Sequence, residues 1–155
     1  MNAKTNAIAM LTNDHREVEE LFKQYEALGD KANAKTNNKK KELADQICGA
    51  LTVHAMIEEE IFYPAMREAA KEAGDLLDEA VVEHASAKDL IMQIQEMDPE
   101  DELYDAKVKV LSELVEHHVK EEEKEMFPKA KKTELDLDAL AEEMSGRREE
   151  IIATS

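Results

Sequence analysis

Little in this chain can cross-link it, stack on a nucleobase or interrupt a helix. Cys48 is the one cysteine, so an intramolecular disulfide is excluded and a reduced, cytoplasmic setting is the expectation. Gly (4) and Pro (3) are scarce among 155 residues, which disfavours a turn-rich β architecture; 43% apolar and 37% charged residues also disfavour disorder. Trp is absent and the aromatic set is three Phe and three Tyr, too few for a base-stacking platform. Cations are outnumbered as well, with 20 Lys and Arg against 37 Asp and Glu. The resulting charge of −17 repels phosphates and anionic headgroups, so neither a nucleic acid nor a membrane surface is an expected partner. No apolar run approaches the roughly 18 residues of a membrane span, and the N-terminus lacks the pattern of a secretory signal.

What remains is helical periodicity in a chain of one-domain length. Ile8, Leu11, His15, Val18, Phe22 and Tyr25 mark a first stripe ending near Leu28-Gly29, followed by a polar connection over 29–38. A second stripe carries Leu43, Ile47, Leu51, His54, Glu58, Ile61 and Phe62, and Pro64 is expected to kink or end it. Gly74-Asp75 reads as a cap pair before Leu77, Val81, His84, Ala87, Ile91 and Ile94. Asp98-Pro99-Glu100-Asp101 reads as the start of a fourth helix with Val108, Leu111, Leu114, Val115, His118, Glu122 and Met126. A shorter stretch with Leu137, Leu140, Met144 and Ile151 follows Pro128. The fold expected is all-α, an antiparallel up-down four-helix bundle over residues 1–130, with an appended C-terminal amphipathic helix over 131–155.

The two halves repeat one grammar. Asp14-His15 and Glu83-His84 each place a Leu six residues after the His; His54-x-x-x-Glu58 and His118-x-x-x-Glu122 each reach Pro ten residues after the His. His-x-x-x-Glu sets two side chains one turn apart on one face. The spacing alone is weak evidence, because Glu fills 26 of 155 positions and His15/Glu19 and His117/Glu121 match it too. Solvated faces with ordinary histidines would explain any single match. The four stripes argue for more, since His15, His54, His84 and His118 each interrupt an apolar stripe, one per helix, and Glu58 and Glu122 lie on the same inward faces. Six buried ionisable groups without partners cost several kcal/mol each. A pair of cations removes that cost by accepting four imidazole nitrogens and two carboxylates. A mixed N/O set suits iron, manganese or zinc; bridging carboxylates and an oxo or hydroxo bridge leave about two positions open.

These residues resemble the hemerythrin-like HHE cation-binding family, a four-helix bundle around a non-haem di-iron centre. The resemblance covers residues 5–130 and rests on the ordered pattern His15, His54-x-x-x-Glu58, His84, His118-x-x-x-Glu122 with its flanking Asp14, Glu83, Pro64 and Pro128. It implies two iron ions, Fe2+ or Fe3+, held by those six residues, with Glu58 and Glu122 as the bridging carboxylates. His117 stands outside the set, because only His118 repeats the spacing of His54 to its Pro. The chain departs from the oxygen carriers at Lys88, where they generally present a second histidine on the third helix. That leaves one position more open, or for Glu19, Tyr25, Tyr63 or Tyr104 to fill. The implied ligands are O2, hydrogen peroxide or NO, with peroxide decomposition one outcome; an iron sensor or store that answers metal loading is the alternative. The tyrosines, and the methionines that include Met56, Met66, Met92 and Met126, read as packing. The acids of Asp14-His15 and Glu83-His84 read as capping or dipole groups at least as readily as partners of the site, and Lys39-Lys40-Lys41 as a solvated helix start.

Overall fold

A computed structural model describes residues 6–30 and 33–154. All regular structure among them is helical: α1 (Ala7–Ala27), α2 (Ala34–Ile57), a π turn (Glu58–Phe62), α3 (Tyr63–Ala69), a 3-10 turn (Lys71–Ala73), α4 (Gly74–Glu96), α5 (Tyr104–Glu121), a second π turn (Glu122–Met126), α6 (Phe127–Lys131) and α7 (Leu137–Thr154). No helix among the described residues is long and apolar enough to cross a membrane.

The long helices α1, α2, α4 and α5 form the expected up-down bundle. His54 meets Asp14 and Lys40 lies over the Tyr25 ring, so α1 and α2 run antiparallel. His15 meets Glu122 while Tyr25 meets Asp105, which sets α5 antiparallel to α1. The pairs Glu59–His84 and Arg67–Asp78 do the same for α2, with its continuation α3, and α4. Apolar stripes from the four helices pack as two separate clusters. One contains Val18, Phe22, Leu43, Ile47, Ile91, Ile94, Val108 and Leu111. The other contains Leu11, Ile57, Phe62, Met66, Leu77, Met126 and Phe127, and α7 adds Leu140, Ala141 and Met144 to it. The buried histidines and glutamates lie in the layer between these two clusters.

Helix ends are where local sequence and structure part company. Gly29, with φ 64°, takes the left-handed conformation just past Leu28, the C-cap of α1, as read from the sequence. The 29–38 connection is shorter than its polarity suggested, because the Asn33 side chain caps the Thr36 amide and starts α2 at Ala34. Gly74 does not cap an α-helix: α3 ends on Ala70, and Gly74 caps the 3-10 turn that follows and opens α4 in the right-handed conformation, with Ala73 rather than Asp75 at the N-cap. The acids at 98–101 make a turn of their own, closed by the Asp101 side chain on the Asp98 amide, and α5 begins later, at Tyr104. Val81 and Met92 face outward at 38% and 60% exposure, so neither is core. Lys40 is buried, not solvated, with its ammonium 3.0 Å from Asp105 Oδ2 and over the Tyr25 ring.

Pro64 and Pro128 do not end their helices. A proline ring clashes with the carbonyl four residues back, and a π turn relieves the clash by widening the backbone there. The bonds fit this account, with the Tyr63 amide donating to the Glu58 carbonyl and the Phe127 amide to the Glu122 carbonyl. Both π turns begin on the glutamate of a His-x-x-x-Glu pair.

Met144 is fully buried where α7 meets the bundle. Met144→Ala is expected to cost about 2–5 kcal/mol of unfolding free energy, read from urea titrations.

Candidate metal centre

All six predicted residues converge. His15, His54, His84, Glu58 and Glu122 are buried, and the His118 side chain is 11% exposed. Every imidazole turns Nε2 inward. His15 Nε2 lies 3.0 Å from Glu122 Oε1, His54 Nε2 3.2 Å and His84 Nε2 3.1 Å from Glu58 Oε1, and His118 Nε2 3.4 Å from Glu122 Oε2. Two groupings share Glu58: His15, His54, Glu58 and Glu122 have ligand atoms within 4.8 Å of one another, as do Glu58, His84 and His118.

The outward edges of the rings show what sequence reading missed. Each Nδ1 meets a carboxylate carried by the neighbouring helix: His54 on Asp14 at 2.9 Å, His84 on Glu59 at 2.8 Å, His118 on Glu83 at 2.7 Å and His15 on Glu123 at 2.7 Å. A carboxylate can only accept, so Nδ1–H must donate in all four pairs. The four pairs form a closed ring, α1 to α2, α2 to α4, α4 to α5 and α5 to α1. Asp14 and Glu83 are thus not helix caps; each serves the histidine across the helix seam from its own. The signal lay in the repeat, since an acid precedes His15 and His84 and an acid follows Glu58 and Glu122 in both halves.

Tyr63 is the other addition. Instead of only packing, its hydroxyl donates to Glu122 Oε2 at 2.7 Å and lies 3.2 Å from Glu58 Oε1 and 3.3 Å from the Nε2 atoms of His84 and His118. Burial and the charges of Glu58 and Glu122 push its pKa well above the phenol range, so it keeps its proton. Phe127 occupies the matching place in the second half and stacks on His15 with ring centroids 5.9 Å apart. Glu19, Tyr25 and Tyr104 stay outside the centre: Glu19 pairs with Arg16, Tyr25 donates to Asp105, and the buried Tyr104 hydroxyl has no hydrogen-bond partner. Lys88 turns away to Glu59 at 3.1 Å. His117, 64% exposed, lies outside the centre against Glu83 and Glu121.

Electrostatics show how the layer balances its charge. Burial pushes the His54 pKa down, but Glu58 and Asp14 outweigh it and raise it to about 10; for His118, hydrogen bonds and charge from Glu122 and Glu58 overcome burial and raise it to about 12. Burial likewise opposes ionisation of Glu58, yet His54, Glu122 and His118 hold its carboxyl well below the usual range. Protons on the imidazoles compensate the carboxylates, but imperfectly. His54 Nε2 and Glu58 Oε2 are buried with no hydrogen-bond partner. A buried donor set of imidazole nitrogens and carboxylate oxygens with unsatisfied atoms aimed at a common centre fits metal cations better than it fits hydrogen bonding. Cys48, buried and with its thiol pushed up to about 11, belongs to the apolar cluster beyond.

Comparison with known proteins agrees with this geometry. A family model described as Hemerythrin HHE cation binding domain matches residues 6–130. The fold is similar to the crystal structure of a hemerythrin HHE cation binding domain-containing protein from Mycobacterium kansasii, with a TM-score of 0.74 and 26% identity, covering 94% of this chain and 86% of that one. A curated protein of Nostoc sp. (strain PCC 7120) named DNA nickase is 33% identical over 114 residues, or 74% of this chain. The match covers 30% of that protein's length, so most of it has no counterpart here. The chain belongs to the hemerythrin HHE cation-binding domain family.

Proposed function

We propose that the six inward groups hold two iron ions and that the centre binds or reacts with a small ligand: O2, hydrogen peroxide or NO. His15, His54, Glu58 and Glu122 would hold one ion, and Glu58, His84 and His118 would hold the other. Bound iron supplies redox chemistry and a Lewis-acid position for a ligand. The carboxylates balance its charge, and the outer acids hold each imidazole by Nδ1 so that Nε2 stays aimed inward. Tyr63 holds a proton at its hydroxyl and donates it in a hydrogen bond to Glu122 Oε2, which keeps that carboxylate turned toward the centre.

A small cavity carries the small-ligand reading. About 50 Å³ of space lies against the four imidazoles, with Val18, Leu51, Ala87, Ile91, Leu114 and Val115 among its walls. Space of that size admits a diatomic molecule or a peroxide and excludes larger organic substrates. Nuclease chemistry on a DNA strand is disfavoured by the charge of −17.

Iron-loaded protein, reduced without air and mixed with O2, NO or hydrogen peroxide, is expected to change its optical spectrum within the mixing time course. Tert-butyl hydroperoxide is expected to react on the order of 100-fold more slowly than hydrogen peroxide, because its carbon skeleton does not fit the cavity. Equal rates would refute the size selection, and a spectrum unmoved by all three small ligands would refute the reading. Stable loading with no turnover of peroxide would favour storage or sensing, for which the contact of α7 with Asp14 supplies a physical route.

A further inference from the structure

Each of the four outer carboxylates is itself held by a cation or a second histidine. Arg16 pairs with Glu123, Lys88 with Glu59, His117 with Glu83 and Arg148 with Asp14. The first three partners belong to the helices of the bundle. Arg148 comes from α7, beyond the residues that the family model matches. Its guanidinium Nη2 lies 2.5 Å from Asp14 Oδ2, and that same oxygen accepts the His54 Nδ1–H bond at 2.9 Å. A single oxygen atom therefore joins α7 to an inward imidazole.

The docking of α7 is specific to this side of the layer. Leu140, Ala141 and Met144 bury against the cluster containing Leu11 and Ile57, and Arg147 reaches Glu60 at 2.8 Å on the π turn that begins with Glu58. The outer carboxylates of His84 and His118 are held instead by Lys88 and His117.

We propose that Arg148 is a positioning residue of the metal centre, orienting His54 through Asp14, so that the C-terminal helix completes the ion position built from His15, His54, Glu58 and Glu122. The inference rests on the metal-centre reading. Asp14 could not be fixed as well by a lysine, because a planar guanidinium directs its N–H bonds and an ammonium does not. Loss of Arg148 leaves the carboxylate free to rotate toward solvent and the ring of His54 free to follow it. Outer hydrogen-bond partners of ligating histidines commonly contribute 10- to 100-fold in metal affinity.

The test is titration of the full, metal-stripped chain with Zn2+, and separately with Co2+, whose absorption reports ligand geometry. Wild type, R148Q, R148K and R147Q are compared. Wild type is expected to take up two ions. R148Q is expected to keep one at unchanged affinity and to bind the other roughly 10- to 100-fold more weakly. R148K recovers part of the loss. R147Q, which loosens α7 without touching Asp14, is expected to keep both affinities even where its melting temperature falls. In the Zn2+-loaded protein, 15N spectra of the imidazoles should show the Nδ1 signal of His54 displaced in R148Q and those of His84 and His118 unmoved. Two ions bound by R148Q as tightly as by wild type, or an equal loss in R147Q, would overturn the proposal. Wild-type protein that takes up neither ion would overturn the metal centre itself and this inference with it.

Discussion

Glu58→Gln is expected to abolish retention of metal at both ion positions, the largest single effect foreseen. Glu58 is fully buried and is the residue common to both groups of candidate ligands. Its Oε1 lies between His54 and His84, 3.2 and 3.1 Å from their Nε2 atoms, while Oε2 has no hydrogen-bond partner at all. An amide removes the charge and puts either an NH2 group, which cannot ligate, or a neutral carbonyl oxygen, a weaker ligand, at the place where the carboxylate faces the imidazole Nε2 atoms. The loss should exceed the roughly 100-fold that an outer hydrogen-bond partner can contribute, since a donor atom itself goes. Metal content after desalting and competition against a chelator would measure it, with circular dichroism to verify that the helices persist. Glu60→Gln, two residues on but half-exposed and bonded to Arg147, is the control that should retain both ions. If the Glu58 variant holds two ions as tightly as its parent, the assignment of this carboxylate is wrong.

Loading the centre should expel protons and should stabilise the fold more at high pH than at low. In the metal-free chain His54 and His118 are raised from the ordinary imidazole value of 6.5 to about 10 and about 12. Both are therefore imidazolium at neutral pH, and each must lose its Nε2 proton before it can ligate. About two protons per chain should appear in an unbuffered solution on saturation with Zn2+ at pH 7. The sign of the stability change follows. A raised histidine stabilises the metal-free fold fully below pH 6.5, the unfolded value, and that contribution is lost as pH climbs toward 10. Glu58 works in the opposite sense: held below its ordinary value of 4.5, it contributes above that pH and fails as the solution becomes more acidic. Metal-free protein should thus be most stable near pH 5–6 and weaken by at most about 1.4 kcal/mol per pH unit for each histidine through the alkaline limb. Metal-loaded protein lacks those protons, so the gap between the two melting temperatures should widen from pH 6 to pH 9. A constant gap together with no proton release would contradict the charge balance described for the layer.

The inward faces of the bundle were legible because a 3.6-residue period and burial act on the same positions. His15, His54, Glu58, His84, His118 and Glu122 each stood in an apolar stripe, and those stripes face the interior as read, Val81 excepted. Their outer partners were not legible, for a geometric reason. Each residue turns the helix by about 100°, so the neighbour of an inward side chain points along a seam, and sequence alone does not say which helix lies across it. Asp14 therefore looked like the companion of His15 when it is bound to His54, and nothing in the sequence paired Glu123 with His15. Tyr63 was hidden differently. Its position after Glu58 would face another way on an unbroken α-helix, and only the π turn ahead of Pro64 brings its hydroxyl in. Arg148 had no periodic signal, since it lies in a helix whose place on the bundle depended on packing between distant segments. Lys40 shows the same limit at the surface: a run of three lysines gave no hint that the middle one would be buried against Asp105 and Tyr25.

The duplicated halves differ by one oxygen atom at their matched aromatic positions, Tyr63 against Phe127. The Tyr63 hydroxyl reaches both buried glutamates, 2.7 Å from Glu122 Oε2 and 3.2 Å from Glu58 Oε1, whereas the Phe127 ring offers His15 only hydrocarbon. A two-fold symmetric layer is thereby made lopsided: the carboxylates receive a neutral O–H group from one half of the repeat and none from the other.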